Sequence, residues 1–174
     1  MSETAPVTVP EWREFLAGPG TDWPVTQPAS EDAVLAVEQR LGVPLPPSFR
    51  NFLLTSDGWE GIDTNAGTLA GVDAVEWLPT ADPELWAAWG GPDMEPVYAE
   101  EAAIIKRCLL LSLESAQGDY WLLSAEEVDA NGEWRAYEWW AGDGGDLIPH
   151  DSFGALVHDA REKWVAEAKE NTDA

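Results

Sequence analysis

The stretch that decides the fold is Ser30 to Ile62, SEDAVLAVEQRLGVPLPPSFRNFLLTSDGWEGI. It reads as helix, stiff connector, helix, turn. Ser30 is an N-cap, because its hydroxyl can accept an orphan backbone N–H of the first turn. Glu31 and Asp32 follow, and negative charge there suits the positive end of the helix dipole. Val34, Val37 and Leu41 recur at three- and four-residue steps and so share one face. Gly42 ends this helix in the left-handed conformation, with Val43 packing back toward Val37. Pro44, Pro46 and Pro47 forbid continuation and keep the chain extended, and Pro47 suits the first position of a new helix. Phe49, Phe52, Leu53 and Ser56 give a second stripe, closed by Gly58 with Trp59 directly after. Packing into a core is the ordinary job of such stripes. Leu41, Leu45, Phe49, Phe52 and Leu53 are therefore expected inside, and Gly42 and Gly58 at positive φ.

Upstream, Met1 to Thr8 reads as a loose tail. Pro10 opens a short helix with Trp12, Phe15 and Leu16 on one face, and Gly18 to Gly20 end it. Thr21 to Ala29 is an extended connector, with Trp23 placed to pin it to the domain. Downstream, Asp63 to Ala74 is Gly-rich and polar, a loop or edge strand. Val75 to Leu78 is too short for periodicity to separate strand from helical turn. Asp82, Pro83 and Glu84 start a helix with Leu85, Trp86 and Trp89 on one face, and Gly90 and Gly91 stop it. Gly90 to Glu101 reads as an exposed acidic loop. Three strand candidates follow: Ile104 to Leu113, Asp119 to Leu123, and Trp134 to Trp140 after the hairpin signal Asn131-Gly132. Gly142 to Asp146 is a loop. Ser152 caps a last helix carrying Phe153, Leu156, Val157, Ala160, Trp164 and Ala168, with Asp159 and Lys163 spaced to pair on its outer side. Asn171 to Ala174 should fray. Sequential strands favour an antiparallel meander. The expected class is α+β: a single domain over residues 9–170, between tails at 1–8 and 171–174. It holds a mainly antiparallel sheet with helices on one side, a helical hairpin near the N-terminus and a C-terminal helix.

Charge is the strongest compositional fact. Nine Lys and Arg stand against 33 Asp and Glu, a formal net charge of −24. Such a chain repels phosphate, which argues against nucleic acid and anionic membranes as partners. It fits either simple solubility or a surface made for a basic protein. No apolar run approaches the ~20 residues of a membrane span. The start, MSETAPVTVPEW, lacks the basic and apolar regions of a signal peptide. A soluble, cytoplasmic protein is expected. Eleven Trp in 174 residues exceed what one small core readily holds, so some should reach the surface.

Catalytic chemistry is thinly provided. His150, Asp151 and Ser152 are consecutive and cannot form the line of a triad; a loop and a helix cap are expected there, and His158 is a boundary residue. Cys108 is alone within an apolar run, which points to a buried structural thiol. Asp129-Ala130-Asn131-Gly132 lacks the spacing and closing Glu of a calcium loop, and Asp143 to Asp146 reads as a solvated turn. Acidic pairs such as Glu100-Glu101 arise by chance among so many carboxylates. No catalytic residue, metal or cofactor is expected. What remains is a binding surface, with aromatic anchors holding a partner and charges guiding it in. In WRAYEWW, Tyr137 and Trp139 take one side and Trp134, Glu138 and Trp140 the other, the buried side being open. The candidate anchors are Trp59 and Trp139. The candidate carboxylates are Glu60 and Asp63 after the hairpin, and Glu126, Glu127 and Asp129 before the third strand.

The run E-x-x-L-G-V-x-L-P-x-S-F-x-x-F-L-x-x-x-D-G-W, Glu38 to Trp59, resembles the signature of the SUKH superfamily. That group includes Smi/Knr-type cell-wall assembly regulators and many bacterial immunity proteins. Asp119 to Leu123 and Ser152 to Leu156 are similar in type but less diagnostic. Asp57 stands where the family usually has Asn, a mild departure since both tolerate turns. The resemblance implies the same α+β fold and a non-enzymatic protein-binding module. It further implies an immunity protein that neutralises a cognate toxin of nuclease or deaminase type, or a regulatory scaffold binding endogenous proteins.

Overall fold

The computed structural model describes residues 4–18, 26–63, 67–94, 97–113 and 118–174. The expected pinning role of Trp23 lies outside them. The first helix, α1 (Val9–Leu16), starts on a capping box between Thr8 and Glu11 and buries Trp12, Phe15 and Leu16. Packing begins before it, since Asn51 Nδ2 donates to the Val7 carbonyl at 2.9 Å and Pro6 is buried. In the deciding stretch, α2 (Glu31–Leu41) is capped by Ser30 and α3 (Pro47–Leu53) opens on Pro47. Gly42, at φ 75°, directs its N–H to the Glu38 carbonyl, as expected of a left-handed terminator. Gly58 has φ 88°, and a Cβ there would lie 2.8 Å from the Leu69 carbonyl oxygen, so only glycine fits this turn.

A two-stranded antiparallel ribbon, β1 (Trp59–Asp63) and β2 (Gly67–Leu69), follows the hairpin. The run Val75 to Leu78 turns out to be both strand and helical turn: β3 (Glu76–Trp77) passes straight into α4 (Leu78–Ala81). Asp82 Oδ1 accepts the Leu85 N–H at 3.0 Å and caps α5 (Pro83–Gly90). Next come α6 (Ala99–Ile105), β4 (Cys108–Leu110), β5 (Tyr120–Val128), β6 (Trp134–Trp140), β7 (Asp146–His150) and α7 (Phe153–Asp173). The main sheet is an antiparallel meander in the order β3-β4-β5-β6-β7. Two expectations need correction here. Ile104 belongs to α6, which also takes the end of the expected acidic loop, and the loop after Gly142 gives way to a fifth strand. Its Pro149 is tolerated because β7 is an edge.

Strand alternation divides the core in two. Leu109, Trp121, Leu123, Trp134 and Ala136 face a cluster built on α1, α2, α3 and α7. Its centre is aromatic: Trp12 lies 5.1 Å from Phe52, and Phe153 lies 5.0 Å from Phe49 and 5.2 Å from Phe52, ring centre to ring centre. Cys108, Leu110, Leu122, Tyr137 and Trp139 face the opposite way, against Leu78, Ile105 and the half-buried Leu85, Trp86 and Trp89. The α+β class, the helical hairpin and the C-terminal helix are as expected. A second, thinner layer, α4 to α6, covers the other face of the sheet as well.

Phe52 is fully buried among Trp12, Trp59 and Phe153. Replacing it with Ala should cost roughly 3–5 kcal/mol in chemical denaturation, while Leu35→Ala on the exposed side of α2 should cost little. A loss below about 1 kcal/mol at Phe52 would contradict this packing.

Candidate partner-binding site

The seven expected site residues do not form one patch. Trp59 and Trp139 are 1% and 0% exposed, so neither ring stands at the surface as an anchor. Trp59 packs 6.1 Å from Phe52, and Trp139 packs edge-on to Trp89 at 5.0 Å. Trp59 is taken up by the large core beside Phe52, and Trp139 is covered by the second helical layer. With both faces of the sheet covered, alternation in WRAYEWW sends Trp134 to one core and Tyr137 and Trp139 to the other. Trp140, at the end of β6, is the aromatic residue of that run left exposed, at 38%.

Glu126, Glu127 and Asp129 do come together, at the far end of β5. Asp129 Oδ1 accepts the Asn131 and Glu133 N–H groups at 2.8 and 3.0 Å, which makes it the organiser of the hairpin turn. Glu126 lies 3.8 Å from Arg107 and Glu127 lies 3.7 Å from Arg135, all four side chains being substantially exposed. Such pairs contribute little to stability, but they offset local charge. Glu127 also accepts the Tyr137 hydroxyl at 2.5 Å. Burial first, and then that bond, raise the Tyr137 phenol above its ordinary value.

Glu60 is exposed and elsewhere. Leu69 of β2 bridges to Ser112, whose hydroxyl accepts the Trp121 N–H at 2.7 Å. The small ribbon therefore lies beside the start of β5, and Glu126 to Asp129 lie at its end. Asp63 closes β1 on that same ribbon.

Sequence reasoning missed a buried carboxylate next to the hairpin. Glu133 is 7% exposed and accepts the Ser48 N–H at 2.8 Å and the Ser48 hydroxyl at 2.9 Å. The same hydroxyl accepts the Gly154 N–H at 3.2 Å, and the Ser48 carbonyl accepts Trp12 Nε1–H at 2.8 Å. Burial raises the Glu133 carboxyl above its ordinary value, and the bonds from Ser48 pull back against that rise. Nothing in the local sequence marks this Glu among 33 acids.

A second polar cluster joins β6 and β7 to α7. His150 Nδ1 is 3.0 Å from Asp159 Oδ2, and its Nε2 is 3.3 Å from Glu138 Oε1. Lys163 reaches Glu138 at 3.5 Å, so the expected Asp159–Lys163 pair is replaced by contacts from the sheet. Burial disfavours the His150 cation, but its contacts with Glu138 and Asp159 outweigh that and raise its pKa above the ordinary 6.5. The contact from His150 is the chief cause holding Glu138 below its ordinary value, against its own burial. Ser152 caps α7 through its bond from the Ala155 N–H, 3.0 Å long. Cys108 is fully buried, which pushes its thiol pKa up, and its Sγ donates to the Ile104 carbonyl. Among the described residues no group of three or more His, Cys, Asp or Glu is placed to hold a metal ion, and no helix is long and apolar enough to cross a membrane.

The family described as SMI1 / KNR4 family (SUKH-1) matches residues 28–159. The match runs from just before α2, through all five strands of the main sheet, into the first turns of α7. No curated protein matches the chain.

The His150 cluster sets a pH dependence with a definite sign. A raised histidine pKa stabilises the fold fully below about pH 6.5 and loses that contribution as pH climbs through the raised value. The lowered Glu138 value contributes above about pH 4.5 and is lost only in stronger acid. Thermal melts from pH 6 to 9 should therefore show a falling midpoint in the wild type. In His150→Gln that fall should be shallower. Parallel pH profiles for the two proteins would contradict the assignment.

Proposed function

The chain belongs to the SMI1 / KNR4 family (SUKH-1), and on that premise we propose that it is a non-enzymatic protein-binding module. Its specific role is that of a cytoplasmic immunity protein, which binds and neutralises a cognate toxin of nuclease or deaminase type. Family membership across the whole sheet is the observation that carries this reading. The net charge of −24 supports it from a different side. A toxin acting on nucleic acid needs a basic substrate site, and an acidic protein can both find that site quickly and cover it.

The mechanism is steering followed by contact. At physiological salt the screening length is about 8 Å, so distant carboxylates act through the summed field that guides encounter. Glu60, Asp63, Glu126, Glu127 and Asp129 belong to that steering set. Desolvated apolar contact then governs how long the complex lasts.

The test is capture of the partner by the tagged protein from its own host, followed by association kinetics against salt. A basic toxin is expected, with an association rate that falls steeply from low to physiological ionic strength. Neutralising Glu126 and Glu127 together should slow association and leave dissociation unchanged. An acidic partner, or association indifferent to salt, would defeat the mechanism. A captured endogenous regulator in place of a toxin would shift the role to a regulatory scaffold.

A further inference from the structure

The contact surface itself can be located by following the sheet to its end. The registers Tyr120↔Trp139 and Trp140↔Asp146 meet, one step beyond Tyr120, in an end row Asp119–Trp140–Asp146, and the Leu110↔Leu122 register continued by three residues brings Leu113 to the same end, where its N–H donates to the Thr68 carbonyl at 2.8 Å. Residues opposed across neighbouring strands share a face. Behind this row the same face carries Leu111, Trp121, Glu138 and Ile148, and then Leu109, Leu123, Ala136 and His150, which run under the large core. The end row emerges from it: Leu113 is 46% exposed and Trp140 38%. Asp146 is exposed, and so is Asp143 in the turn that follows Trp140.

Two features distinguish this end from the Glu126–Asp129 end. The first is charge. Glu126 and Glu127 are already met by Arg107 and Arg135. Among the described residues no Lys or Arg pairs with Asp143 or Asp146. The second is an exposed indole set on a braced turn. The Trp140 carbonyl accepts the Asp143 and Gly145 N–H groups at 3.0 and 2.9 Å, and Gly142 donates to the Gly118 carbonyl at 2.9 Å. Gly145, at φ 86°, backs onto Trp89 so closely that a Cβ would lie 2.3 Å from that ring. The exposed indole thus sits on a fixed turn, bonded to Gly118 just before β5 on one side and backed by Trp89 of α5 on the other. A large aromatic held in place binds at low entropic cost.

We propose that this end row is the contact surface for a basic partner. An apolar side chain of the partner lies on Trp140 and Leu113, and its cations meet Asp143 and Asp146. This rests on the protein-binding reading above and adds to it the location and the chemistry of the occupant.

The test uses the full chain and a defined probe, a fluorescein-labelled amphipathic peptide with Leu and Arg on one helical face. A control peptide keeps every Arg and replaces each Leu by Ser. Anisotropy is read at physiological salt. Saturable binding is expected, weakened at least about tenfold by Trp140→Ala and several-fold by Asp143→Asn with Asp146→Asn. The pair Glu167→Gln with Glu170→Gln, which removes the same charge from the exposed end of α7, should bind like the wild type, and the Leu-free peptide should bind poorly. Unchanged melting temperatures confirm that the variants fold, and the Asp pair serves if Trp140→Ala does not. Equal binding by all variants, or no saturable binding by the wild type, overturns the proposed surface. If the host partner is nevertheless captured, only the location has failed; if nothing is captured either, the protein-binding reading fails with it.

Discussion

Ser48 is the point on which four segments converge. Its carbonyl takes the Trp12 indole N–H from α1, its N–H and hydroxyl bind the Glu133 carboxylate beside the β5–β6 hairpin, and its hydroxyl takes the Gly154 N–H from α7. Burying a carboxylate costs several kcal/mol unless its oxygens are bonded. Glu133 meets that condition at the N-terminal end of α3, where unpaired N–H groups and the helix dipole favour negative charge. The extended connector Pro44 to Pro46, with Pro47 opening α3, sets Ser48 at that position. The Phe49–Phe52–Phe153–Trp12 cluster then closes over the polar centre.

A sheet fixed in this way has consequences for what it can present. Helices cover both of its faces, so the broad apolar strands are spent on packing. Exposed contact is left to the ends of the strands and the turns. Charge follows the same division: one end carries carboxylates paired with Arg107 and Arg135, and the other carries Asp143 and Asp146 beside an exposed indole. An acidic field over the whole molecule and an exposed indole on a braced turn at one end suit the proposed role, in which a basic partner is found quickly and then held.

The helical hairpin was legible from Ser30 to Trp59 because caps, proline placement and period-3.6 stripes all agreed there. The β6 strand and its turn were legible from Asn131-Gly132 and alternation. Asp57 shows why Asp serves in place of Asn: its Oδ1 accepts the Val72 N–H at 2.7 Å, a task either side chain performs. The features that stayed hidden depend on contacts distant in sequence. Whether Trp139 was buried hinged on a second layer of short helices, α4 to α6, whose periodicity is too brief to read, and Trp59 on how the ribbon after the hairpin folds back onto Phe52. Strand β7 has a Pro and a polar start, signals that favour a loop until an edge partner is known. Glu133 pairs with a residue 85 positions away, and no local pattern encodes that.

A double-mutant cycle on Ser48→Ala and Glu133→Gln, measured by chemical denaturation, addresses the convergence at Ser48 most directly. Each single change should destabilise, since it leaves a buried group without its partner. The double change should cost less than the sum, with a coupling energy of about 1–3 kcal/mol. Strict additivity with small single effects, below about 0.5 kcal/mol each, would show that the domain does not depend on this contact.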